Sequence, residues 1–149
     1  MTRSKKGSPG YRNSKIRVLF VLGFGPVARD PGASRRLYAE TLGLEFEDAD
    51  GYLHTEGLEG AKTFAIWPLT QAAESCFGTR EWPKEVPIPQ AWLEFDVEDL
   101  SQTTKILVDQ GYRLLVQNRK EPWGQTVTRL LSPEGLLVGV TFTPQMRKP

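Results

Sequence analysis

Ala91-Trp-Leu-Glu-Phe-Asp-Val-Glu-Asp-Leu100 is the stretch that decides the fold. Trp92, Glu94 and Asp96 alternate with Leu93, Phe95 and Val97, which is the two-residue period of a strand. Asp99 then offers a carboxylate oxygen to the free amides of a first helical turn. Leu100, Thr104, Leu107 and Val108 fall on one helical face, and Gly111 supplies the left-handed residue that ends a helix. The segment therefore reads as strand, capped helix, glycine stop.

The same order stands upstream. Residues 16–27 form an extended apolar run, in which Pro26 predicts an exposed edge or a bulge because proline has no amide to donate. Asp30-Pro31 is a second helix start, since proline fits the first helical position. Ala33, Leu37, Tyr38 and Thr41 make its stripe and Gly43 its stop. Helices are thus expected near 31–42 and 100–110. Cap and terminating glycine lie thirteen residues apart in one copy and twelve in the other, and the two caps lie 69 apart. Beyond Gly43, strands are expected at 44–49 and 52–56, joined by Asp50-Gly51 as a tight hairpin turn, and at 62–67, stopped by Pro68. Beyond Gly111, strands are expected at 112–117, 127–131 and 136–142, the last two joined by Ser132-Pro-Glu-Gly135. Each half reads β, α, β, β, β, an internal duplication carried by the order of elements. The domain spans 16–144, with modules at 16–69 and 91–144. The connection 70–90, with Pro83, Pro87, Pro89, Phe77 and Trp82, is long for a compact domain. It is read either as a functional segment or as a linker that lays its aromatic rings on the body.

A chain of 149 residues with 39% hydrophobic and 25% charged residues suits one globular α+β domain. Its basic residues cluster at the ends: Arg3, Lys5, Lys6, Arg12, Lys15, Arg147 and Lys148. Residues 1–15 are read as a flexible basic tail. Between the ends, twelve bases meet eighteen acids, a formal −6. An acidic body argues against a nucleic-acid partner. No apolar run is long enough for a bilayer, and the N-terminal residues lack the apolar segment of a secretory signal. The single cysteine, Cys76, has no partner within the chain. These features point to a soluble, cytoplasmic protein.

Val27-Ala-Arg-Asp30 with its helix and Leu42-Gly-Leu44, the Trp92–Leu100 segment, and Pro122-Trp-Gly124 followed by Ser132-Pro-Glu-Gly135 resemble, in that order, the vicinal oxygen chelate superfamily of glyoxalases, bleomycin-resistance proteins and dioxygenases. The resemblance covers roughly residues 16–144. It implies two βαβββ modules forming a curled mixed sheet around a cleft, and a homodimer. Many members are metal-dependent enzymes and others sequester antibiotics, so the fold leaves the activity open.

The resemblance also places the family's metal ligands: near Gly23 on the first strand, at Ile66 or Trp67 on the fourth, at Trp92 on the fifth and at Gly139 on the last. None of these residues offers a ligand for a divalent cation. A one-residue slip does not help, because neighbours face opposite sides of a strand. The reading is a protein without metal or cofactor that binds a small molecule, sequestering an aromatic or cationic antibiotic or metabolite. The alternative is a divergent metal-dependent lyase or dioxygenase of the same superfamily. Trp67, Trp92, Glu94 and Trp123 are the candidate ligand-binding residues. The indoles offer stacking walls, and Glu94 a partner for a positive group. Gly23 and Gly139 are expected to widen the cleft. His54, the one histidine, is read as a hydrogen-bonded residue on the sheet, and Cys76 as a bystander thiol.

Overall fold

The computed structural model describes residues 15–147. Residues 1–14 of the expected basic tail lie outside the described residues.

Eight strands form one mixed, open sheet in the order β2-β3-β4-β1-β5-β8-β7-β6. The first half runs β1 (Val18–Ala28), helix α1 (Pro31–Arg35, continued by a π-helical stretch Arg36–Thr41), β2 (Glu47–Ala49), β3 (Tyr52–Thr55) and β4 (Thr63–Pro68). The second runs β5 (Ala91–Val97), α3 (Leu100–Asp109), β6 (Val116–Lys120), β7 (Thr126–Leu131) and β8 (Leu137–Phe142). Read from its own edge, each half has the same order: second, third, fourth, first. β1 pairs parallel with β4 and β5 parallel with β8, while β1 and β5 join the halves antiparallel. The expected α+β fold of two βαβββ units is therefore the fold observed.

Both helix starts form as their sequences dictate. Asp30 accepts from the Ala33 amide at 3.2 Å and Asp99 from the Gln102 amide at 3.0 Å. Asp50 and Gly51 both take positive φ, 58° and 88°, as the tight β2–β3 turn requires.

Several boundaries differ from expectation, and the reason is where the amides go. The Leu44 amide bonds back to the Tyr38 carbonyl and that of Tyr112 to Leu107, so both residues finish a helix instead of opening a strand. β2 accordingly starts only at Glu47 and β6 at Val116. Pro26 is not on an edge: β1 is interior, and its register shifts fall earlier, at Val18/Phe20 and Val21/Gly23. The connection is not structureless. It opens with helix α2 (Leu69–Phe77), which buries Ala72, Ala73 and Cys76 and ends on Gly78 at φ 77°. After it, Trp82 stacks edge-on against Phe77 and donates to the Val86 and Pro87 carbonyls. Arg147 is no loose terminal charge: it pairs with the fully buried Asp96 at 2.8 Å.

Two apolar clusters lie on opposite faces of the sheet. One holds Ala28, Leu53 and Ile66 under Tyr38 of the first helical segment. The other holds Val27, Ala65, Trp67, Trp92 and Leu137 against Ala72 and Cys76 of α2. None of the described helices is long and apolar enough to cross a membrane.

Candidate functional site

The sheet's inner face borders a cavity of about 460 Å3. Strand alternation decides what reaches it. On β5, Trp92, Glu94 and Asp96 are buried, whereas Leu93 and Phe95 are half-buried on the other face. On β4, Trp67 points to the cavity and Ile66 belongs to the cluster on the opposite face. Trp67, Trp92, Glu94 and Trp123 all border the same cavity.

Trp92 is only 3% exposed and is held in place. Its Nε1 donates to the Ala65 carbonyl at 3.0 Å, and its ring meets Trp67 edge-on at 6.3 Å. A Cβ on Gly23 would stand 3.0 Å from the Trp92 ring, and one on Gly25 would stand 3.1 Å from its Nε1. A Cβ on Gly139 would stand 2.9 Å from Glu94 Cγ. The glycines therefore do not widen the cleft as expected. The indole and the glutamate side chain occupy the space they leave.

Glu94 is not a free carboxylate either. Gln125 Nε2 donates to its Oε1 at 2.8 Å, and Arg129 Nη2 lies 3.4 Å from its Oε2. The same Nη2 lies 3.7 Å from Glu121 Oε2, which also accepts from Ser75 Oγ of α2 at 2.8 Å. Arg129 is 1% exposed, and its guanidinium carbon sits 4.8 Å from the Trp67 ring centre. Buried charges of this kind persist only when paired and hydrogen-bonded. Here one cation lies between two carboxylates and one indole face. Sequence reading passed over Arg129, Glu121 and Gln125. A signal for the first was present, since an arginine inside the strand Thr126-Val-Thr-Arg-Leu-Leu131 breaks an otherwise neutral segment.

Trp123 stands at the rim, 56% exposed, with its Nε1 donating to Gln125 Oε1 at 2.9 Å. Tyr52 forms part of the wall. Burial first, then the Glu94 and Glu56 carboxylates, push its phenol up, so it stays protonated. His54 also borders the cavity, with its Nδ1 2.9 Å from Glu56 Oε2 and its Nε2 3.9 Å from Glu47 Oε1. Cys76 is buried on α2, and burial pushes its thiol up to about 11. A thiol held neutral is a poor nucleophile.

The sequence matches the Glyoxalase/Bleomycin resistance protein/Dioxygenase superfamily over residues 24–140. The chain belongs to that family. Among solved structures it is similar to a superfamily member from Vibrio splendidus 12B01, at 15% identity and a TM-score of 0.52, covering 86% of this chain and 98% of that one. It is similar to methylmalonyl-CoA epimerase from Mycobacterium tuberculosis, at 20% identity and a TM-score of 0.55, covering 89% and 94%. It is also similar to a variant of the Streptomyces coelicolor methylmalonyl-CoA epimerase in complex with 2-nitronate-propionyl-CoA, at 18% identity and a TM-score of 0.55, covering 89% and 99%. These likenesses are to the fold. Comparison with curated proteins finds no match.

Proposed function

We propose that the protein is a metal-free binder of a planar small molecule, held between the indoles of the cavity and working by sequestration. One observation carries this. Gly23, Ile66 or Trp67, Trp92 and Gly139, where the family resemblance places metal ligands, offer no donor atom for a divalent cation, and Trp92 with Glu94 takes up the room beside both glycines. The donor set does not fit the family's metal. What remains is an aromatic-walled cavity of drug-like size. The test is a thermal-shift screen with planar aromatic compounds, because a ligand of the native state raises the melting temperature. A hit is expected to bind more weakly to Trp123→Ala and equally to Trp82→Ala. A screen with no hit across a broad aromatic panel would remove the basis for the reading.

The protein is further proposed to be a cytoplasmic homodimer. Val18, Leu19 and Val21 are large apolar residues exposed on the interior strand β1, and covering such a face favours self-association. Sedimentation velocity at micromolar concentration is expected to give a dimer.

A second reading, a divergent metal-dependent lyase or dioxygenase, has one observation in its favour. Glu47, His54 and Glu56 each offer a ligand atom, all within 4.8 Å of one another, where β2 and β3 meet the cavity. Titration calorimetry with zinc and nickel separates the two. Stoichiometric binding that His54→Ala abolishes would favour the enzyme.

A further inference from the structure

The charge network of the cavity leaves one group without a partner. Arg129 Nε and Nη1 are buried and donate to no acceptor in the protein. A buried donor left without an acceptor is costly, and more so when it is charged. Arg129 lines the cavity with both atoms closed to water, so a ligand's acceptor reaches them by displacing part of the wall. The two carboxylates of the cluster already accept from donors within the protein. Glu94 Oε1 is taken by Gln125 and its Oε2 faces Arg129. Glu121 Oε2 is taken by Ser75 and also faces Arg129. The buried atoms of the network left without a partner are therefore donors.

The charge balance narrows the ligand further. Glu94, Glu121 and Arg129 together carry a formal −1, all three nearly inaccessible to water. A carboxylate or phosphate brought to Arg129 would deepen a buried negative excess. A cation brought to Arg129 would be repelled by the guanidinium itself. An uncharged oxygen acceptor satisfies the guanidinium without adding charge. Trp67 lies against the same guanidinium, so the acceptor must sit beside an aromatic wall.

We infer that Arg129 is a ligand-recognition residue, and that the cavity takes a planar aromatic molecule bearing an uncharged carbonyl or amide oxygen, which accepts from Arg129 Nε or Nη1. This rests on the small-molecule reading above and names the ligand class for it. It also moves recognition from Glu94, where the sequence suggested a cation, to the arginine that neutralises it.

The test uses three matched probes: 2-naphthamide, 2-naphthoate and 2-(aminomethyl)naphthalene. Affinity to the wild-type chain is measured by titration calorimetry, and the Arg129 Nε–Hε resonance is followed by NMR during each titration. The amide is expected to bind at least tenfold more tightly than either charged probe and to shift the Arg129 resonance. Arg129→Lys, which retains charge but loses the planar fork, is expected to erase that preference. The resonance is read on the wild-type protein, so a variant that fails to fold does not block the test. An amide that binds without moving the Arg129 signal would mean the guanidinium is satisfied by water alone, and the assignment falls. Equal or tighter binding of the amine or the carboxylate also overturns it. Failure of all three probes to bind overturns this assignment, while the small-molecule reading falls only if the broad aromatic panel also gives no hit.

Discussion

The two halves of the sheet share one strand order but bring opposite chemistry to the cavity. From the first half come Leu22, Tyr52, Thr63 and Trp67, with Gly23 and Gly25 making room for Trp92. From the second come Glu94, Glu121, Gln125 and Arg129. The first supplies close packing, with His54 and Glu56 where β3 meets the cavity, and the second supplies the buried charge cluster. The two meet where Arg129 of β7 lies against Trp67 of β4, and where Trp92 of β5 donates to Ala65 of β4. A duplicated backbone thus fixes where inward positions lie, while the residues at those positions diverged. Neither half makes the site alone.

The largest effect is expected from breaking the charged half. Arg129→Leu leaves two buried carboxylates without their cation and should cost about 3–5 kcal/mol, the usual penalty for orphaning a buried ion partner. Urea denaturation of wild type and variant measures it. A loss below 1 kcal/mol would mean the cluster is open to water.

The shape-giving half breaks differently. A Cβ on Gly25 would lie 1.8 Å from the Ala65 carbonyl oxygen, which is backbone and cannot swing aside. Gly25→Ala should cost about 3 kcal/mol, the upper part of the overpacking range. At Gly139 the obstruction is the Glu94 side chain, so Gly139→Ala should cost less. Equal losses at both positions would contradict the division between a rigid first half and an adjustable second.

How much of this could be read from the sequence follows the range of the interactions. Asp30-Pro31 with Gly43, and Asp99 with Gly111, act within one helix, so the duplicated order was visible directly. Asp50-Gly51 fixes a turn locally and was visible for the same reason. Helix α2 was missed because Pro68 gives no side-chain cap and the prolines downstream suggest a loop. Its buried Ala72, Ala73 and Cys76 and its Gly78 stop were nonetheless present. The four residues singled out for the site do border one cavity. The Glu94–Arg129–Glu121 cluster was not visible, because its members come from β5, from β7 and from the turn between β6 and β7. Only strand pairing brings them together. The role of the glycines was misjudged for a related reason: whether absent side chains leave a hole depends on what a neighbouring strand puts there.

A smaller effect sharpens the seam between the halves. Cys76 of α2 lies in the same apolar cluster as Trp67 and Trp92. Its thiol rises from 9.0 to about 11, chiefly through burial. Below pH 9 the thiol is protonated in both states and the stability is fully present. Between pH 9 and 11 the unfolded thiol ionises while the folded one does not, so stability falls with rising pH. The loss should be about 3 kcal/mol on completion. Tyr52, raised in the same direction, adds to it at higher pH. Denaturant unfolding at pH 8 and pH 10.5 should show the fall in wild type and a shallower one in Cys76→Ala. Parallel slopes would place the thiol in contact with water.

The smallest expected change in stability is at the rim of the charged half. Trp123 is more than half exposed, so Trp123→Ala should alter stability by no more than about 0.5 kcal/mol. Its influence on the site should be larger than its influence on the fold. The Trp123 Nε1 proton goes to Gln125 Oε1, and Gln125 in turn holds Glu94 through its Nε2. Removing the indole frees the Gln125 amide to turn, so Glu94 loses a fixed donor and Arg129 a fixed counter-charge. The aromatic wall loses a ring at the same time. Trp123→Phe retains the ring and removes only the hydrogen bond, which separates the two contributions. If stacking dominates, the phenylalanine variant should bind 2-naphthamide nearly as well as wild type and the alanine variant several-fold more weakly. If the Gln125 tether dominates, both variants should weaken alike and the Arg129 Nε–Hε signal should broaden in both. Unchanged affinity in both variants would confine the site to Trp67, Trp92 and Arg129, deep where the two halves meet.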